Sequence, residues 1–250
     1  MNDPCLSTRR LDPREAEVTL HGDGWTGRLM GPRCRVRETV EIAHYFRPAS
    51  GSATLRAIVP EPNLWCPKMP FTYEAILQKD GVKIAVRHAF RSVAIVKQRL
   101  QLNYKDFPIV AVRRDHLAEH EVEPLRQAGY NTIVARVSPE TAEVWEQADL
   151  SGLCVIGVID RDPVSVATAV ELKRRPSVLA WLLDGYVDLL EPERLQTIPG
   201  RDAPIGVLGE IADAPEWIQF AASRSRLDPR PWLCLTDAPS EVGDAIGTVA

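Results

Sequence analysis

The sequence is poor in features that would fix a function class at once. It has only five cysteines, Cys5, Cys34, Cys66, Cys154 and Cys234, odd in number and without CxxC spacing. That scarcity excludes a disulfide framework and argues against a cysteine-held metal, so reduced thiols in a cytoplasmic protein are expected. No apolar run approaches the roughly 20 residues that span a bilayer. The first ten residues lack the apolar core of a secretory leader, and none is expected. Positive charge is not in excess: 30 Lys and Arg face 34 Asp and Glu, for a net −4. Neither nucleic acid nor an anionic membrane surface is therefore an expected partner.

What is present is ordinary globular composition, 45% hydrophobic and 26% charged over 250 residues. That length suits one large domain or two modest ones. Residues 1–15 are polar and broken by proline, and read as a lead-in. From 16 to 98 the pattern has period two. Apolar and polar residues alternate over 17–21, 35–42, 53–59, 71–77, 82–87 and 92–96, and Lys79-Asp80-Gly81 is a hairpin turn. Short alternating strands of this kind predict an antiparallel, immunoglobulin-like β-sandwich.

From Phe107 the rhythm changes. Apolar runs at 107–112, 132–137, 153–159, 178–183, 205–208 and 232–235 predict six buried strands. Helical segments are expected over 117–128, from the Ser138 N-cap onward, and over 163–174, 192–196 and 215–223. Consecutive βα units demand a parallel sheet. Fewer than about 150 residues remain for it, whereas a complete eight-stranded barrel seldom takes fewer than about 200. The expectation is an incomplete TIM-barrel-like domain over 103–250, with about six strands and an open edge.

In such a domain chemistry sits at the C-terminal ends of the strands. The acidic residues expected there are Asp115, Asp160, Asp162, Asp184, Glu210 and Asp237. Residues of this type also cap the following helix, which needs no ligand at all. Asp184 and Glu210 are the carboxylates considered for catalysis. His116, Asp115, Trp181 and Asp237 are considered for substrate binding. Trp181 also fits a core position, as does Trp65. Arg113-Arg114 could meet an anionic ligand. No metal site and no cofactor are implied.

Seven segments, in order, resemble glycoside hydrolase family 2. Leu64-Trp65-Cys66-Pro67-Lys68-Met69-Pro70-Phe71-Thr72-Tyr73 is similar to L-W-S-P-x-x-P-x-L-Y of its central sandwich. Ala89-Phe90-Arg91 is similar to G-F-R, and Leu102-Asn103-Tyr104-Lys105-Asp106-Phe107-Pro108 to L-N-G-K-P. Arg114-Asp115-His116 matches the histidine after the first barrel strand. Ala128-Gly129-Tyr130-Asn131-Thr132-Ile133 is similar to A-G-[FY]-N-x-[IV]. Ala148-Asp149-Leu150-Ser151-Gly152-Leu153-Cys154-Val155 is similar to C-D-E-x-G-L-L-V. Arg175-Pro176-Ser177-Val178-Leu179-Ala180-Trp181-Leu182-Leu183 is similar to H-P-S-V-x-x-W-S-L.

The departures carry as much weight. Where the family continues Gly-Asn-Glu, this chain has Asp184-Gly185-Tyr186, so Tyr186 stands at the place of the proton-donating glutamate. Val134 stands where an arginine usually closes the A-G-F-N motif. With six strands expected, the seventh, which carries the family's nucleophilic glutamate, is expected to be missing. The resemblance thus implies a degenerate, non-hydrolytic, carbohydrate-related binding or assembly module. The alternative is an active hydrolase of O-glycosyl bonds with a rearranged carboxylate pair. A carbohydrate is the implied ligand, and a second copy or a partner chain is expected to cover the open barrel edge.

Overall fold

In the computed structural model, the residues described are 4–49, 54–160, 162–184, 203–208, 219–223, 232–235 and 247–249. The chain divides into two compact units, Met1–Arg91 and Ser92–Ala250.

The first unit contains two four-stranded antiparallel sheets. One has the order β1-β2-β6-β5 and the other β4-β3-β7-β8. The strands are β1 (Cys5–Leu11), β2 (Glu15–His21), β3 (Thr26–Arg33), β4 (Ile42–Tyr45), β5 (Arg47–Pro48), β6 (Leu55–Pro60), β7 (Thr72–Lys79) and β8 (Val82–His88). Alternation builds the core as expected. Ala16, Val18 and Leu20 of β2 and Ala57 and Val59 of β6 point inward, and meet Leu29, Ala75, Leu77 and Phe90. Tyr73 is also in this core, with its ring edge-on to Phe90 at 4.8 Å.

Two readings of this unit are corrected. Residues 1–15 are not merely a lead-in: β1 pairs with β2, and Leu6, opposite Leu20, is buried. Its Ser-Thr-Arg-Arg stretch conceals an edge strand, which can be polar because only backbone pairing is required of it. The alternating stretch 35–42 is irregular up to Ile42. Val36 and Val40 are exposed there, so the alternation has no face to bury. The strand that was missed is β3. Gly27 and Gly31 interrupt its pattern, yet a Cβ on Gly27, where φ is +157°, would lie 2.2 Å from the Ile76 carbonyl oxygen. Close backbone approach, rather than side-chain period, shapes β3.

The second unit begins with a small meander, β9 (Val93–Val96), β10 (Arg99–Leu102) and β11 (Lys105–Asp106). It belongs with the α/β region rather than with the sandwich, so the division falls earlier than the expected 98–103. Eight parallel strands follow: β12 (Ile109–Arg113), β13 (Thr132–Arg136), β14 (Cys154–Ile159), β15 (Val178–Asp184), β16 (Ile205–Leu208), β17 (Phe220–Ser223), β18 (Trp232–Leu235) and β19 (Gly247–Val249). Helices α1 (Glu119–Gln127), α2 (Ala142–Ser151) and α3 (Pro163–Leu172) follow the first three. Ser138 stands at the N-cap of the 3-10 turn that leads into α2, and its backbone N–H donates to Thr141 Oγ1 at 3.2 Å.

The fold class is the expected one, a β-sandwich followed by an incomplete TIM-barrel-like domain. All six expected strands are present, parallel and in order. Among the described residues its outer layer consists of three α-helices. The sheet itself goes further than six strands. Phe220–Ser223, expected to be helical, is a strand paired on both sides. Its Phe-Ala-Ala-Ser sequence favours a helix, but small residues fit the tight inner wall of a barrel, and pairing overrides propensity. Gly247–Val249 pairs with both β18 and β12, so the ring is hydrogen-bonded all the way round and no edge stays open. The length argument failed because β16 to β19 use only three or four residues each.

The main core of this unit lies between the strands and the helices. Ile133, Ala135, Val155, Ile159, Trp181 and Leu183 face Val122, Val144, Trp145, Ala148, Val166 and Ala169. Trp181 lies directly over Gly157, where a Cβ would come within 2.4 Å of its ring. Beneath this layer, Asp149 of α2 is fully buried. It accepts from the Ser177 backbone N–H at 2.9 Å and from Arg175 at 3.2 Å. Burial pushes its carboxyl above the ordinary 3.8, with Ser177 and Arg175 opposing the shift.

Candidate functional site

The strand ends identify the mouth of the barrel. Ile133 and Ala135, Val155 and Ile159, and Trp181 and Leu183 face the helices, so the alternate residues line the inner wall. Register places Arg113 beside Val134, Arg136 beside Val158 and Asp184 beside Leu208. Arg113, Arg136, Asp160 and Asp184 thus rise from the inner faces of the first four strands at their C-terminal ends.

Two of these residues are already matched. The Arg136 guanidinium donates to both carboxylate oxygens of Asp160, at 3.2 and 3.0 Å. The two parallel bonds occupy both oxygens of the carboxylate in a bidentate pair. Asp115, one turn of chain beyond β12, accepts the Arg136 backbone N–H at 3.0 Å. It ties the end of β12 to the end of β13. The Asp160 backbone N–H donates to Ser165 Oγ at 3.1 Å, and Asp162 caps α3 by accepting from Val164 and Ser165 at 2.9 Å each. Three of the acidic residues at the strand ends therefore serve loops and a helix start.

Asp184 differs. It is half-buried at the end of β15, and no hydrogen bond to it is recorded among the described residues. Arg113, the last residue of β12, and His116 beyond it are exposed, and Arg114 donates to the Arg113 carbonyl. Trp181, considered as a sugar platform, is corrected to core. It is 0% exposed and faces the helices, because odd and even positions of β15 go to opposite sides of the sheet. Tyr186, Glu210 and Asp237 lie outside the described residues, as does the expected helix 192–196.

Arg136 is the mouth residue that sequence reasoning passed over. The signal was present, since it is the one charge within the expected strand 132–137. It lies two residues beyond Val134, the position where the family pattern carries arginine, and on the same face of the strand.

No protein-family model matches the chain, and no curated protein matches it in sequence. Solved structures do match. A glycosyl hydrolase family 2 member from Bacteroides cellulosilyticus is 14% identical, with a TM-score of 0.68 over 98% of this chain and 43% of that one. A β-D-glucuronidase from Dictyoglomus thermophilum is 16% identical, with a TM-score of 0.63 over 93% of this chain and 47% of that one. A β-glucuronidase from an uncultured Clostridium is 14% identical, with a TM-score of 0.61 over 88% and 46%. The chain spans less than half the length of each. At such identities the likeness is one of fold, and the sandwich-then-barrel fold of this chain is that of the glycoside hydrolase family 2 glycosidases.

Proposed function

We propose that the chain is a glycoside hydrolase family 2-like, carbohydrate-related binding or assembly module that does not hydrolyse glycosides by the two-carboxylate route. One observation carries the proposal. The chain continues from β15 as Gly185-Tyr186, so the place two residues beyond Asp184 holds a phenol where the family pattern has a carboxyl. Protonation of the leaving oxygen is worth typically 10² to 10⁴-fold, and a phenol with pKa near 10 is a weak donor at neutral pH. The closed ring leaves no open strand edge for a second copy to cover.

A second reading rests on the strand count. With eight strands, Trp232–Leu235 is the seventh, and Asp237 follows it by two residues. The expectation that the nucleophile strand is missing is thereby corrected. Asp184 and Asp237 are then the carboxylates that follow the fourth and seventh strands in sequence, and an active hydrolase would need two such groups flanking one bond.

Hydrolysis of aryl β-glycosides by the purified chain separates the two. The expected result is no turnover by wild type, and none gained by Tyr186→Glu alone. Turnover that disappears in both Asp184→Asn and Asp237→Asn, but survives Glu210→Gln, would establish the rearranged enzyme instead.

A further inference from the structure

The sandwich unit contains a cleft that the barrel chemistry does not use. Strand β5 pairs with β6 for only two residues, Arg47 opposite Arg56 and Pro48 opposite Leu55. Beyond that, β6 runs on from Ala57 to Pro60 with no strand beside it on that side among the described residues. The space between this stretch and β4 is a cavity of about 880 Å³. That is the size of a small-molecule site.

Its chemistry is uneven. Ile42, Tyr45 and Ile58 line it while 57%, 55% and 37% exposed, an unusual concentration of large apolar side chains open to solvent. The cationic end is the Arg47–Arg56 pair. Like charges directly opposite each other on antiparallel strands are unfavourable unless an anion joins them. The carboxylate nearest Arg56 is Glu17, at 3.8 Å, and it is shared with Arg9 at 3.5 Å. Among the described residues no carboxylate lies within ion-pair distance of Arg47. The acidic residue lining the cavity, Glu61, follows β6 at the other end. It lies five positions along the chain from Arg56, roughly 16 Å of extended backbone, so it does not cancel the arginine pair. His44, also lining the cavity, hydrogen-bonds the Ile58 backbone, and burial holds its ring below its usual pKa.

We infer that this cleft binds a small organic anion, its carboxylate held between Arg47 and Arg56 and its apolar body laid against Tyr45, Ile42 and Ile58. Two guanidinium groups side by side form a fork suited to a planar carboxylate. The open edge of β6 leaves room for the rest of the molecule. The site is independent of any reading of the barrel.

The test uses 1-naphthoate and its neutral counterpart 1-naphthamide, titrated into the full chain by calorimetry. Naphthoate should bind, and naphthamide at least about tenfold more weakly, since the charge-assisted contacts are lost. Arg47→Gln, at an exposed position, should weaken naphthoate by a similar factor and leave naphthamide unchanged. Arg47→Lys should recover part of the loss. Absence of naphthoate binding at millimolar concentration would overturn the inference. So would equal affinity for acid and amide, which would make the cleft merely apolar. The wild-type comparison of the two probes decides the matter even if a variant fails to fold.

Discussion

Strands β7 and β15 are nearly equal in length but bury themselves differently. In β7, Tyr73, Ala75 and Leu77 are buried, and from Glu74 on the residues between them are partly or fully open. In β15, all six residues from Val178 to Leu183 are buried. One has a single covered face; the other has helices on one side and the barrel interior on the other. A residue of β15 must therefore fit neighbours on whichever side it faces. The glycines show the difference. Gly157, beside Trp181, and Gly206, beside Phe220, leave room for an aromatic ring. Gly27 instead lets two backbones approach.

That contrast can be broken by substitution. The largest effect is expected from Gly27→Ala, at about 4 kcal/mol. The new methyl meets a backbone carbonyl at 2.2 Å, in a conformation unfavourable to any side chain. Trimming the neighbouring Leu77 should not rescue it. Gly157→Ala should cost about 3 kcal/mol by overpacking. Here the obstacle is the Trp181 ring, so Trp181→Leu in the same chain should recover a good part. The Trp181 indole N–H is buried without a partner among the described residues, so little hydrogen bonding is lost with the ring. Urea unfolding of the single and double variants measures both. Rescue of Gly27→Ala, or none of Gly157→Ala, would reverse the assignment of the two glycines.

Charges provide a finer contrast. Asp149 is wholly buried in the barrel unit, whereas Arg33 joins Glu41 and Glu74 at 2.8 and 2.7 Å on the partly exposed sandwich surface. Asp149→Ala should cost about 2 kcal/mol, because it strands the Ser177 N–H. Asp149→Asn keeps an acceptor there and should cost less. The pH dependence has a definite sign. The folded state holds the Asp149 proton more tightly than the unfolded chain does. Its contribution is therefore fully present below pH 3.8 and is lost as pH rises through the elevated folded value. Asp149→Asn should lack that decline in a series of melts across the acid range. Arg33→Gln should cost under about 1 kcal/mol and diminish further in high salt.

The sequence made the barrel most legible where strands are long and apolar. The runs ending at Ile159 and Leu183 could hardly be anything else, and the six strands they belong to were all found. Strand β19 was invisible, because three residues carry no readable period. Strand β17 was misread because Ala-Ala-Ser has no strand preference of its own. In the sandwich, alternation found the inner strands but missed β1, whose side chains are mostly polar, and β3, which glycine interrupts. The candidate site was half legible. Carboxylates at strand ends follow from the pattern, so Asp115, Asp160, Asp162 and Asp184 could be named. That Arg136 neutralises Asp160 depends on the register of β13 against β14, which no local pattern contains. The arginine cleft was hidden for the same reason, since its lining comes from residues as far apart as Gly31 and Tyr73.

Closure by Gly247–Val249 carries a consequence for synthesis. Ile109, in the first barrel strand to leave the ribosome, finds its partner in Gly247. Until that partner emerges, β12 presents a bare edge and the interior stands open along one side. Contacts so distant in sequence form slowly, and an exposed parallel edge invites other chains. The nascent barrel is therefore vulnerable for nearly the whole time it is being made, whereas the sandwich can finish folding long before. Slowed elongation over the last hundred codons should increase aggregation of this protein, with the barrel as the part that fails.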